Sequence, residues 1–136
     1  MAITPEKQTE ILKVVAGLFN AAPGGTYLTN FANAVAGGMT IPQLADALAN
    51  SSVFTDSIMG GKVTTNAQAA VLMKNFGLVA DSTTTSAGSQ ALKYFKDAID
   101  AKVGFGKIVS DAVTYLSGSP AAEFATAKTL LENKAL

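Results

Sequence analysis

Seven apolar positions recur along the chain at a constant offset of 64 residues: Leu28, Phe31, Ala34, Val35, Met39, Ile41 and Leu44 return as Leu92, Phe95, Ala98, Ile99, Val103, Phe105 and Ile108. The stretch Tyr27 to Phe54 is thus copied, in its first half, by Ala91 to Ile108. The spacing within each copy follows the helical period, and no segment alternates apolar and polar residues as a half-buried strand would. The repeat predicts an all-α fold, a compact bundle of about six helices in one domain over 1–136, with repeat one at about 5–59 and repeat two at about 65–133.

Local signals place the helices. Thr4, Pro5 and Glu6 combine an N-cap, a proline in the first turn and a carboxylate at the positive end of the helix dipole. A stripe of Ile11, Val14, Val15, Leu18 and Phe19 follows until Ala21–Gly25 ends the helix. A second helix from about Thr26 is predicted to bury Leu28, Phe31 and Val35 and to stop at Gly37 and Gly38. Thr40 and Gln43 have capping-box spacing and open a third helix through Leu44 and Leu48, with Pro42 in its first turn. A short turn of helix is expected over Phe54 to Met59, before the glycines that divide the halves.

In the second half, Thr65 and Gln68 repeat the box spacing ahead of Val71, Leu72 and Phe76, and Asp81 to Ser89 reads as a loop. From Ser86 or Ala87 a helix carries Leu92, Phe95 and Ile99 inward, with Lys93, Lys96, Asp97 and Asp100 outward. The next runs from about Gly104 or Phe105 to Leu116. Ser119 and Pro120 are expected to begin the last, whose apolar face is Phe124, Ala127, Leu130 and Leu131.

What is missing narrows the function. The chain has no Cys, His or Trp, and all ten basic residues are Lys. Disulfides, thiolate nucleophiles, the usual zinc sites and the commonest general base are therefore excluded. Lys and the acids balance at ten each, without the basic stripe that a nucleic acid or an anionic membrane surface requires. No apolar run approaches the ~20 residues of a membrane span, and the acidic, Lys-interrupted start lacks the pattern of a cleavable signal peptide. No enzyme activity and no cofactor are expected.

Only 15% of residues are charged, against about 25% in an ordinary domain. Between Lys13 and Lys62 the sole formal charges are Asp46 and Asp56. Depletion of charge marks the cores of protein interfaces, and zero net charge removes the repulsion that keeps small proteins apart. This makes the first repeat a candidate binding or assembly face, with Tyr27, Asn30, Asn33, Thr40, Gln43 and Asn50 as its polar members. Asp97 and Asp100 lie one helical turn apart, but with Lys93 and Lys96 just before them they read as a solvated face, not an acid–base pair. Calcium takes oxygen ligands, and Asp81 with its loop hydroxyls and carbonyls is its one candidate position; EF-hand spacing is absent. Tyr27, Tyr94 and Tyr115 are candidates for stacking on sugars or for ordinary core positions.

Pro23, Gly25, Tyr27, Phe31, Gly38, Thr40, Asp46, Leu48, Asn50, Ser51 and Phe54 together resemble the helical unit, ending Asn-Ser-x-x-Phe, of a bacterial domain family of unknown function. Val53 stands where that family usually has an acid, and its Arg-x-Pro-Asp segment and Trp are missing. The family occurs in surface proteins exported by type I systems, and the chain is also similar to N-terminal regions that anchor surface-layer proteins to lipopolysaccharide. The resemblance implies an extracellular or cell-surface location without a cleavable N-terminal signal. Two functions follow as expectations: a non-enzymatic structural module that forms homo-oligomers or attaches to the cell surface, and a carbohydrate- or lipopolysaccharide-binding module.

Overall fold

The computed structural model describes residues 4–20, 25–83, 86–118 and 120–134, and their regular secondary structure is all helical. Seven α-helices lie among them: α1 Pro5–Phe19, α2 Gly25–Ala36, α3 Ile41–Ala49, α4 Thr65–Asn75, α5 Ala87–Asp100, α6 Phe105–Ser117 and α7 Ala125–Lys134. A π-turn, Val53–Ile58, follows α3, and a 3-10 turn, Ala122–Phe124, leads into α7. The fold is all-α, with one more α-helix than the six expected. No described strand is present.

The helix ends follow their local chemistry. Thr4 caps α1 by accepting the Lys7 N–H at 3.2 Å, with Pro5 in the first turn. That helix stops before the predicted Ala21–Gly25 segment, because Asn20 takes a left-handed backbone (φ 58°) and its N–H returns to the Ala16 carbonyl. Asn is among the few residues that tolerate this conformation. Residues 21–24 lie outside the described set. At α3 the capping box is complete: Gln43 N–H donates to Thr40 Oγ1 and Thr40 N–H to Gln43 Oε1.

At α4 the expected box is displaced by one residue. Thr64, not Thr65, accepts the Ala67 N–H, while Thr65 turns its hydroxyl to Asp100 and Gln68 donates to the Lys62 carbonyl. Two adjacent threonines offer the same chemistry, and a tertiary partner for one leaves the other to cap. The last helix also begins later than Ser119–Pro120. Ser119 lies outside the described residues, and the chain makes the 3-10 turn before α7.

The 64-residue offset reappears in the backbone. After α2, Gly38 N–H bonds to Val35 O and Met39 N–H to Ala34 O, both at 3.1 Å; after α5, Lys102 N–H bonds to Ile99 O and Val103 N–H to Ala98 O, both at 3.0 Å. This paired pattern is a Schellman motif, which needs a left-handed residue at its centre. Gly38 supplies it with φ 117° and Lys102 with φ 64°. The same turn then launches α3 and α6, and these equivalent helices form the largest helix–helix contact in the fold.

Their approach is close because Gly106 has no side chain: a Cβ there would lie 2.5 Å from both Cα and N of Asp46. Small Ala45 and Ala49 on α3 and Ser110 on α6 are buried around it. Helix α1 packs across α6, with Gly17 against Val109 and Phe76. Phe54 is fully buried, its ring 6.0 Å from Phe19 and 5.6 Å from Phe105. The π-turn delivers it: Met59 N–H reaches back five residues to Phe54 O, so a widened turn points Phe54 inward and leaves Val53 exposed.

Candidate functional site

Helix α2 is the only described α-helix without a formal charge. It packs chiefly on α1 and α3. None of its described side chains is fully buried: Leu28, Phe31 and Val35, predicted inward, are half-buried against the core. Its repeat partner differs, for Phe95 on α5 is only 2% exposed and stacks on Phe76 at 5.9 Å. The reason is the neighbour, since α5 has an extensive contact with α4 that α2 does not match with α1.

Five of the six face residues expected from sequence have described side chains, and these are spread over α2 and the two ends of α3. Asn30 and Asn33 are exposed one turn apart on α2. Thr40 and Gln43 are exposed too, but their polar atoms are engaged with each other in the capping box. Asn50 is exposed at the opposite end of α3, about 15 Å from Thr40 along the axis at helical rise. Tyr27 lies in α2, and its side chain is outside the described set. What these positions share is the absence of charge, broken by exposed Asp46 and Asp56.

A second surface lies on the other repeat. A groove of about 450 Å³ opens between α5 and α6, floored by Phe76, Phe95, Leu116 and Phe124 and walled by Tyr94 and Tyr115. These two tyrosines are not core residues: they are 42% and 48% exposed. Tyr94 leans on Phe95 at 5.4 Å, and Tyr115 meets Phe124 edge-on at 5.4 Å while its hydroxyl accepts the Ala121 N–H. Both rings are therefore held in place. Gln90 donates to Glu123 across the rim, and Asp111 accepts from Lys107 at 3.0 Å.

Electrostatics at this rim follow from those contacts. Burial pushes the Tyr94 phenol above its ordinary value, with Asp111 adding to the rise and Lys107 opposing it. The hydrogen bond from Lys107 to Asp111, and then their charge attraction, raise the Lys107 ammonium. Sequence named Tyr94 and Tyr115 as candidates for stacking on sugars but not the groove they share, because Tyr94 sits among Lys93, Lys96 and Asp97, where a lone aromatic carries no pattern. Its partners come from helices separated by a turn and a long loop. The one available signal was that Tyr94 lies off the Leu92, Phe95, Ile99 stripe.

The other carboxylates weighed from sequence have partners within the fold. Asp97 pairs with Lys93 at 2.6 Å and Asp100 accepts from Thr65, so the two carboxylates serve different partners. Asp81 Oδ1 accepts both the N–H and the hydroxyl of Thr83, which hold its carboxyl below the usual range. Among the described residues no three acidic side chains gather as a metal site, and no helix is long and apolar enough to cross a membrane. Comparison with protein-family models, with curated proteins and with solved structures gives no match.

Proposed function

We propose that this chain is a non-enzymatic structural module of the bacterial cell surface, which assembles with copies of itself through the uncharged α2–α3 face. The observation that carries the reading is the contrast between equivalent helices. Helix α5 seats Phe95 in the core and dresses its outer face with Lys93, Lys96 and Asp97, whereas α2 has Phe31 half-buried, Asn30 and Asn33 exposed, and no charge at all. A surface helix without charge loses little solvation on being covered, and further burial of Leu28, Phe31 and Val35 would add apolar contact. Zero net charge permits copies to approach. The resemblance to type I-exported surface proteins supports the location.

Light scattering and negative-stain microscopy across a concentration series test this. Filaments, sheets or discrete oligomers are the expected result, and Asn30→Lys should shift the series to monomer while leaving the helical circular dichroism and the melting temperature unchanged. A monomer at every concentration, or an Asn30→Lys variant that assembles normally, would remove α2 as the face.

A further inference from the structure

We propose that the α5–α6 groove is a binding site for a neutral saccharide of one or two rings. It is independent of the association face, since it is built from the other repeat. Its chemistry is that of a surface matched to a ring with C–H faces and hydroxyl edges. Tyr94 and Tyr115 offer exposed aromatic faces, held by Phe95 and Phe124 and by the Ala121 N–H, so little rotamer entropy remains to be lost on binding. Gln90 and Asp111 line the same groove with planar groups that donate to or accept from hydroxyls. The volume, about 450 Å³, falls within the range of small-molecule sites, roughly 300–1,000 Å³.

Charge decides between ligand classes. An acidic or phosphorylated ligand would face Asp111 at the groove and Glu123 at its rim, with Lys107 as their single described counter-charge there. An organic cation, the other usual guest of tyrosine walls, would find Asp111 already bonded to the Lys107 ammonium. A purely apolar chain would cut the exposed Gln90–Glu123 and Lys107–Asp111 pairs off from water with nothing in return. A neutral polyol with an apolar face stacks on the tyrosine rings, brings no charge to these pairs and can bond their remaining lone pairs and N–H groups.

The absence of Trp makes tyrosine the emitting residue, and two of the three tyrosines line the groove. The full chain would be titrated with cellobiose, maltose and N,N′-diacetylchitobiose, read by tyrosine fluorescence and by ¹⁵N–¹H spectra, with octylammonium and glucose 6-phosphate as charged competitors. The expected result is saturable binding of at least one disaccharide, with amide shifts centred on Gln90, Tyr94, Asp111 and Tyr115. Tyr94→Ala should weaken it about tenfold, Tyr94→Phe should retain it because the ring remains, and Asn30→Lys should not alter it. No saturation by any of the three sugars, shifts centred elsewhere, unchanged affinity in Tyr94→Ala, or preference for either charged competitor would overturn the proposal.

Discussion

Asn75 does at one position what a loop residue does at most helix ends. It is 3% exposed on α4, and its amide donates to the Gly17 and Leu18 carbonyls at 2.9 and 3.0 Å, so it serves the last turn of α1 from another helix. Asn75→Ala should cost about 1–3 kcal/mol, the usual range for stranding buried polar groups, measured by denaturant unfolding; a cost below a few tenths would mean that water takes over. Lys102 offers the opposite case. It adopts φ 64° where repeat one has Gly38, and a left-handed Lys carries a steric penalty that glycine avoids. Lys102→Gly should stabilise the fold by about 0.5–1 kcal/mol after the entropy of glycine is deducted, and a lower melting temperature would contradict the Schellman assignment. Lys13 is a third such residue: its stem is buried and its ammonium reaches Ser117 at 3.0 Å.

At the scale of elements, helix starts are set by which hydroxyl meets the exposed amides of the first turn. Thr64 does so at α4 while Thr65 bonds Asp100 on α5. Thr64→Ala should therefore cost about 1 kcal/mol as a lost cap, whereas Thr65→Ala removes one exposed tertiary bond and should cost no more than about 0.5 kcal/mol. Thermal melts of the two variants would separate them, and an equal or reversed order would restore Thr65 as the cap. Leu130 makes the same point about faces. It falls on the predicted apolar stripe of α7 yet is 38% exposed, because its side chain lies over the Gly77 turn and not in the core.

The whole molecule has an unusually simple titration. With neither His nor Cys, no side chain has an ordinary pKa near neutrality. Asp81 is held below its usual 3.8 by Thr83, so its contribution is present above that value and is lost as pH falls through the lowered folded value. Tyr94 is raised above 10.0, chiefly by burial, and Lys107 above 10.5 by Asp111. Both contributions are complete below those ordinary values and disappear as pH rises through the raised ones. Melting temperature should therefore be flat from about pH 5 to 9 and fall on either side. A step near pH 6.5 would contradict this reading, and so would a Tyr94 phenol that ionises at or below 10.0 when followed by ultraviolet absorbance.

The class of the fold and most of its punctuation are written in the order of residues alone. The helical period of the 64-residue repeat, Thr4, the Thr40–Gln43 box and the glycine at 38 act within a few residues, and local interactions of that kind are legible in one dimension. Residue order also locates the charge gap that marks α2. Tertiary structure decided which of two equal stripes is fully covered: Phe95, stacked on Phe76 at the end of α4, is buried, whereas Phe31 is half-buried. It likewise decided which threonine caps α4, turned Tyr94 and Tyr115 outward into one groove, and assigned Asn75 to the end of α1. Each of these depends on a neighbour distant along the chain, and burial is a property of the pair of surfaces that meet, so neither stripe alone contains it.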